Sequence, residues 1–242
     1  MSVLKANLLV TPQEVFASST TQGTDVGALA TTGDSRYYRY FYNGGVAAVT
    51  GKVYQGPAED ATNQSPAGGL SVAAAAIGAT SITTTSSVTL AANLLAGGFL
   101  SVVITPGAGY TYKIKGNTVA AAGVVTFYLE DPIKVALTTS SKIVVHQNPY
   151  YNCVVAPTTL TAAPVGVAIT ETPINNYGWL QTHGPASCLV TGTLGSAGLA
   201  VGVLVGGTAG SLAPAIAGTN ILGYTMGICA TTEYDAIFLT ID

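Results

Sequence analysis

The feature that most constrains this chain is a series of short runs rich in β-branched and aromatic residues, each ended by glycine, proline or asparagine. Examples are "RYYRYFYNGG", "TSITTTSSVTL", "GVVTFYLEDP" and "SKIVVHQNP". Such runs favour strands, and the residues that end them favour turns. The pattern predicts an all-β fold of sandwich- or barrel-like modules. The only helix we expect is a turn or two in the alanine-rich stretch from Ser71 to Ala79.

Changes in composition divide the chain into four parts. Residues 1–33 are polar and aperiodic, which predicts an extended N-terminal arm that orders only against a neighbour. Two linker-like breaks then bracket an inserted β module at 67–145, between a first part of the main β domain at 34–66 and its remainder at 146–242. Within the first part, Asn43-Gly44-Gly45 predicts a hairpin turn.

Charge is scarce throughout the chain. Only 8% of residues are Asp, Glu, Lys or Arg, against about 25% in ordinary soluble domains. No charge occurs between Asp60 and Lys113 or between Glu171 and Glu233. Such a chain either has a surface coated with Ser, Thr, Asn and Gly or spends much of its surface against other protein, and we favour the second interpretation. The net charge of −3 argues against nucleic acid as a partner. Strand-type alternation in the apolar stretch 194–218 argues against a membrane span.

The residues that could carry chemistry are few. Cys153, Cys188 and Cys229 are far apart in apolar surroundings, which predicts buried thiols without a disulfide or metal. The segment "YGWLQTHGPASC" contains His183 with Ser187 and Cys188 nearby, but it alternates like a strand. We therefore interpret it as a strand, a Gly-Pro turn and a returning strand, and we expect no catalytic residue, no cofactor and no enzyme activity.

An aromatic and basic cluster supplies the candidate interface residues. The strand-like segment from Arg36 to Tyr42 alternates tyrosine with arginine and phenylalanine, and the single tryptophan lies in a later strand. Tyrosines beside arginines can stack single-stranded nucleic acid or sugars. They are also enriched at protein interfaces, which is the interpretation that we favour. The candidates are Arg36, Tyr38, Arg39, Tyr40 and Trp179.

Several phrases resemble tailed-bacteriophage virion proteins. They are "YYRYFYNGGVAAVTGKVYQGP", "AGGFLSVVITPGAGYTYKIKG", "LEDPIKVALTTSS", "NPYYNCVVAP", "YGWLQTHGPA" and "GICATTEYDAIFLTI". In particular, the chain resembles capsid decoration (cement) proteins, from about Arg36 to its end. The resemblance implies a non-enzymatic β-rich protein, made in the host cytoplasm, that binds the major capsid protein on the outside of the head. It also implies a homotrimer over the junctions between capsomers.

Two other functions stay open from the sequence. One is a tail component or host-attachment module that binds a receptor or glycan through aromatic side chains. The other is a virion enzyme, such as a depolymerase domain. A binding module requires an exposed aromatic pocket with polar partners, whereas an enzyme requires acidic residues that converge in a cleft.

Overall fold

The computed structural model describes residues 8–203, 207–217, 219–228, 230 and 232–242. The predicted all-β fold is confirmed, with 41% of residues in strands and 2% in helix. Among the described residues the α-helix is a single turn, α1 (Pro12–Val15), capped by the Thr11 side chain. The strands in chain order are β1 (Leu8–Leu9), β2 (Leu29–Thr31), β3 (Tyr37–Tyr42), β4 (Val53–Gln55), β5 (Leu70–Ser71), β6 (Ser81–Thr83), β7 (Val88–Leu90), β8 (Phe99–Ile104), β9 (Thr111–Asn117), β10 (Ala120–Gly123), β11 (Thr126–Leu129), β12 (Lys142–His146), β13 (Val154–Val155), β14 (Pro164–Ala168), β15 (Tyr177–Val190), β16 (Ala200–Val203), β17 (Leu212–Pro214), β18 (Gly223–Thr225) and β19 (Glu233–Thr240).

The chain divides into two compact units. The first unit is Met1–Pro57 with Pro149–Asp242, and the second is Ala58–Asn148. The second unit is therefore an insertion into the first, and it extends beyond the predicted 67–145 at both ends. The two ends of the first unit at this junction meet, since a Cβ on Gly56 would lie 2.8 Å from the Pro149 carbonyl oxygen.

The second unit contains a closed six-stranded barrel, which we call the inserted barrel. Its strands follow the order β5-β12-β8-β9-β11-β6. The ring closes because β5 runs on to a bridge between Val72 and Thr84, just after β6, with the Thr85 amide donating to the Ser71 carbonyl at 2.7 Å. Closure pairs both edges of this six-stranded sheet, so neither is free to associate with another chain.

The inserted barrel encloses one continuous core. Apolar side chains from the inward-facing set of each strand meet inside it, and β7 and β10 add residues from outside the ring. The buried members include Leu70, Ile82, Leu90, Leu100, Ile114, Phe127, Ile133 and Ile143.

The segment interpreted as two strands around a Gly-Pro turn is one continuous strand, β15, so that prediction is wrong. Its first half pairs with β3 and β14, and its second half pairs with β19. His183 lies at the change of partners, opposite Tyr37 on one side and Thr240 on the other. The Gly184-Pro185 dipeptide favours a turn only through local geometry, and the eight residue pairs with β19 outweigh that preference.

Gly184 is suited to this junction for a specific reason. Its φ of +83° lies in the left-handed region, and a Cβ there would lie 2.9 Å from the Ser35 carbonyl oxygen. A residue with a side chain would therefore be strained in its backbone and would also clash.

The second half of β15 closes another ring, which we call the C-terminal barrel. The strands pair in the circuit β15-β17-β16-β18-β19 and back to β15. Its interior holds part of an apolar cluster that includes Ala186, Cys188, Val190, Val201, Leu212, Leu222, Ile237 and Leu239.

The first half of β15 belongs to an open sheet in the order β1-β2-β3-β15-β14, continued by β4 and β13. The predicted hairpin at Asn43–Gly45 does not form, because β3 pairs with β2 and β15 and not with the strand that follows it. Instead Asn43 is fully buried, and its side-chain amide donates to the carbonyl oxygens of Val46 and Thr172.

The described part of the predicted N-terminal arm, residues 8–33, packs on its own chain. It contributes β1, α1 and β2, and β2 pairs with β3. Val15 and Ala30 are fully buried in a cluster with Tyr38, Tyr40 and Trp179. The expectation that this segment orders only against a neighbour is wrong, because a few small apolar residues are enough to cover one face of the open sheet.

The predicted helix over Ser71–Ala79 is also absent. Ser71 ends β5, and the bridges Val72–Thr84 and Ala75–Leu137 hold the segment extended on the inserted barrel. Barrel closure outweighs the helix propensity of a few alanines, which is a fraction of a kcal/mol per residue.

Candidate interaction surface

The predicted interface aromatics lie inside the first unit. Tyr38, Tyr40 and Trp179 are at most 7% exposed. The rings of Tyr40 and Trp179 meet edge to face, with centroids 4.9 Å apart, and Tyr40 also stacks on Tyr177. The Tyr40 hydroxyl accepts a hydrogen bond from the Gly23 amide at 2.9 Å. These side chains hold residues 8–33 to the open sheet and present no free surface.

The two candidate arginines are engaged within the chain. Arg39 donates to both carboxylate oxygens of Asp242, at 2.8 and 3.2 Å, and to the Gly27 carbonyl. Arg36 pairs with Asp34 at 2.7 Å, and this guanidinium, with the Thr32 hydroxyl, lowers the pKa of the Asp34 carboxyl. Arg36 therefore stabilises the turn at Asp34, whereas Arg39 holds Asp242 and the Gly27 loop to the open sheet.

The residues of the rejected catalytic hypothesis are separated by the strand. Ser187 lies four positions beyond His183 on β15, about 13 Å along a strand. Cys188 points to the opposite side from Ser187, into the C-terminal barrel, where burial raises the pKa of its thiol to about 12. The His183 ring packs against Tyr37 and Phe238, with its Nδ1 3.2 Å from the Asp242 carbonyl oxygen. Neither hydroxyl nor thiol is activated by this histidine.

The outer surface of the C-terminal barrel is apolar and aromatic. Residues paired directly across antiparallel strands share one face, so Pro185, Phe238, Tyr224 and Ala200 form a row across four strands. A second row places Ser187 opposite Ala236, next to Met226, whose amide donates to the Ala236 carbonyl. Tyr234 lies on the same face of β19, two residues before Ala236.

We call this surface the aromatic face. Its members are Pro185, Ser187, Ala200, Tyr224, Met226, Tyr234, Ala236 and Phe238. No member is charged, and the acidic residues at the start of β19, Glu233 and Asp235, belong to the other alternating set of that strand. Tyr224, Met226 and Tyr234 are 43%, 49% and 53% exposed.

The composition of the aromatic face is that of a protein interface. The centres of interfaces are depleted in charged residues and enriched in tyrosine, phenylalanine and methionine. Exposed apolar patches of this kind mark sites of association on folded proteins. Connecting segments of the same barrel expose further apolar side chains, among them Leu199, Ile216, Ile221 and Ile228.

Sequence reasoning missed the aromatic face, although β19 carries a signal for it. In "EYDAIFLT" both alternating sets contain large apolar residues: Ile237 and Leu239 in one, Tyr234 and Phe238 in the other. A strand that is apolar on both faces is expected to be covered on both. Only the pairing of β19 with β15 and β18 shows which set the described residues leave uncovered.

Neither a metal-binding cluster nor a membrane-spanning helix is found in the described residues. Within those ranges, no group of three or more His, Cys, Asp or Glu side chains is placed to hold a metal ion. No helix of the described chain has the length and apolar character needed to cross a membrane. Comparison with protein-family models, with curated proteins and with solved structures finds no match to this chain.

Proposed function

We propose that this chain is a structural, non-enzymatic protein of a phage virion that decorates and stabilises the capsid. In this proposal it forms a homotrimer, and the aromatic face is covered by neighbouring copies of the same chain. The trimer binds the major capsid protein on the outer surface of the head, at junctions between capsomers. The observation that carries the proposal is the charge-free aromatic face, and the resemblance of several sequence phrases to decoration proteins points the same way.

A second copy is the occupant that suits a charge-free face best. Near the three-fold axis of a trimer each residue meets the same residue of the other two copies, and like charges in close contact there cost several kcal/mol. The aromatic face avoids that cost because all of its eight residues are uncharged. Its tyrosines and Met226 supply contact area instead, in the way that obligate interfaces resemble a core cut in half.

A trimer would stabilise a shell by mass action. A protein that binds the assembled shell, and not its dissociated subunits, shifts the equilibrium toward the closed form. Three linked copies gain further from effective concentration, because the second and third contacts form within one complex. Modest contacts between each copy and the capsid are then sufficient to stabilise the shell.

The first test addresses association through the aromatic face. Tyr224→Glu places a charge in the first row of the face, whereas Tyr110→Glu places one on an equally exposed tyrosine of the inserted unit, also at 43%. Light scattering should give three times the 24.3 kDa chain mass for the wild type and for Tyr110→Glu. Tyr224→Glu should shift the mass toward that of a single chain, because a charge buried at an interface without a partner is strongly unfavourable. A monomeric wild type contradicts the proposal.

The second test addresses the capsid. Particles stripped of the protein should lose thermal stability or packaged DNA, and addition of the wild-type protein should restore it. Tyr224→Glu should restore it poorly, and Tyr110→Glu fully. Electron cryomicroscopy of the particle should place the protein on the head. Location on the tail, or unchanged stability of stripped particles, favours the host-attachment alternative.

A further inference from the structure

The surface of the second unit carries a concavity that differs in character from the aromatic face. It has a volume of about 330 Å³ and is lined by Thr80, Asn93, Lys115, Gly116, Tyr128 and Leu129. Sites for small ligands span about 300–1,000 Å³, so this one has room for a single ring-sized group. The Tyr128 side chain is 47% exposed there.

The local backbone opens this concavity. Tyr128 on β11 lies opposite Gly116 on β9, while the next residue, Leu129, lies opposite Ile114. Lys115 is therefore the extra residue of a β-bulge, a device that redirects a side chain from its regular position. Gly116 allows the Asn93 side chain to lie close against β9, since a Cβ there would lie 2.6 Å from the Asn93 side-chain oxygen.

Three polar side chains that line the concavity have no polar partner among the described residues. Within the part of the chain that the structure describes, the side chains of Asn93, Lys115 and Tyr128 make no hydrogen bond or ion pair. The neighbouring Lys113, in contrast, pairs with Glu130 at 3.4 Å. A cation, an amide and the phenol of an exposed tyrosine are the kind of few polar groups that characterise a binding site.

The chemistry of these groups selects the ligand. A pyranose ring can lie on the exposed face of Tyr128 and exchange hydrogen bonds with the Asn93 amide, which both donates and accepts. The Lys115 ammonium adds a charge-assisted hydrogen bond to an anionic substituent. Nucleic acid fits less well, because it needs a basic stripe along its backbone and the chain has a net charge of −3.

We propose that the concavity formed by Asn93, Lys115 and Tyr128 binds a pyranose sugar that carries a carboxylate. Tyr128 stacks on the sugar ring, Asn93 orients its hydroxyls, and Lys115 selects the acidic form. The site lies within the second unit and does not depend on the proposed capsid function.

Saturation-transfer NMR on the full-length protein tests this site with two probes, methyl β-D-glucuronide and methyl β-D-glucoside. The wild type should bind the glucuronide with a dissociation constant on the order of 1 mM, and the glucoside several-fold more weakly. Tyr128→Ala should abolish transfer to both sugars. Lys115→Gln should bind both sugars equally, and Asn93→Gly should weaken both while retaining the positive φ at this position.

Matched controls keep the outcome specific to the concavity. Tyr110→Ala removes a comparably exposed tyrosine, and Lys134→Gln removes an exposed lysine elsewhere in the same unit. Both should bind like the wild type. The proposal is overturned if the wild type shows no transfer to the glucuronide, binds the glucoside equally well, or keeps its binding in Tyr128→Ala. These results are independent of the oligomer mass, so they separate this site from the aromatic face.

Discussion

The inserted barrel and the C-terminal barrel are both closed rings of strands with apolar interiors, yet their outer surfaces differ. The second unit places charged side chains around the inserted barrel, including the Lys113–Glu130 pair and the contact of His146 with Glu59 at 3.0 Å. The C-terminal barrel shows Tyr224, Met226, Tyr234 and Phe238 on its outer face, without a charge among them. Closure pairs the strand edges of both rings, so we attribute the difference to the association proposed for the C-terminal barrel.

The two regions also differ in how their cores depend on the rest of the chain. The inserted barrel is built entirely from residues between Ala58 and Asn148 around one core. The first unit divides its apolar residues among three clusters, and β15 contributes to each of them. A change in β15 should therefore destabilise all three clusters of the first unit. A change in the core of the inserted barrel should unfold the second unit while the first unit stays folded.

The largest expected effect tests that independence. Phe127→Ala removes a fully buried ring from the core of the inserted barrel and should cost the second unit about 3–5 kcal/mol of unfolding free energy. Hydrogen exchange followed by mass spectrometry should show faster exchange in peptides of 58–148 and little change in β15 or β19. Val103→Ala, at a 43% exposed site on β8, should cost about 0.5 kcal/mol or less. Equal acceleration in both units would show that they unfold as one.

The next effect concerns the junction in β15. Gly184→Ala should destabilise the first unit by about 3 kcal/mol, because it combines backbone strain with the clash at Ser35. Gly78→Ala has a similar φ of +89° but no atom within 4 Å of the added Cβ, so it should cost the second unit only about 1 kcal/mol. Denaturant titration of the two variants measures the difference. Similar costs at both sites would mean that the close passage of β15 beneath Ser35 is unimportant.

The parts of this fold that the sequence predicted depend on local patterns. Strand-length runs ended by glycine and proline predicted the all-β class, and polar breaks on either side of the second unit predicted an insertion. Those signals arise within a few residues of each position. The missed features are long-range: β15 continues through Gly184-Pro185 because β19, some fifty residues later, pairs along it.

The candidate surface was misplaced for the same reason. Tyr38, Tyr40 and Trp179 have the composition of an interface, but Val15 and Ala30 of the N-terminal segment cover them. Tyr224 and Tyr234 are exposed because no further layer of the described chain reaches them. Which aromatic residues are covered depends on how distant segments pack, and composition alone does not contain that information.

A smaller effect is a difference between the two units in how their stability depends on pH. Burial raises the pKa of the Cys188 thiol to about 12 and also raises that of Cys153, whereas 58–148 contains no cysteine. Unfolding returns a thiol to a pKa of about 8.5, so above that pH the unfolded state has released a proton that the native state keeps. The first unit should therefore keep this contribution below about pH 8.5 and lose about 1 kcal/mol per thiol by about pH 9.5.

Thiol labelling with mass spectrometry measures this loss. Cys153 and Cys188 should react slowly at neutral pH. At alkaline pH their labelling rates should rise more steeply than those of an unfolded control, whose rates report thiolate formation alone. Cys188→Ala should reduce the pH dependence of stability in the first unit. Exchange rates in 58–148 provide the internal reference. A second unit that weakens with pH as much as the first would show that the buried thiols are not the cause.

The most direct test of the account is hydroxyl-radical footprinting of the assembled protein against a dissociated form such as Tyr224→Glu. The aromatic face is predicted to be covered in the assembly, so Met226 and Tyr234 should be oxidised several-fold more slowly in the wild type. Tyr110 and Tyr128, on the second unit, should be oxidised at the same rate in both forms. Equal oxidation of Met226 and Tyr234 in the two forms, or protection confined to the second unit, would contradict the claim that the C-terminal barrel carries the interface.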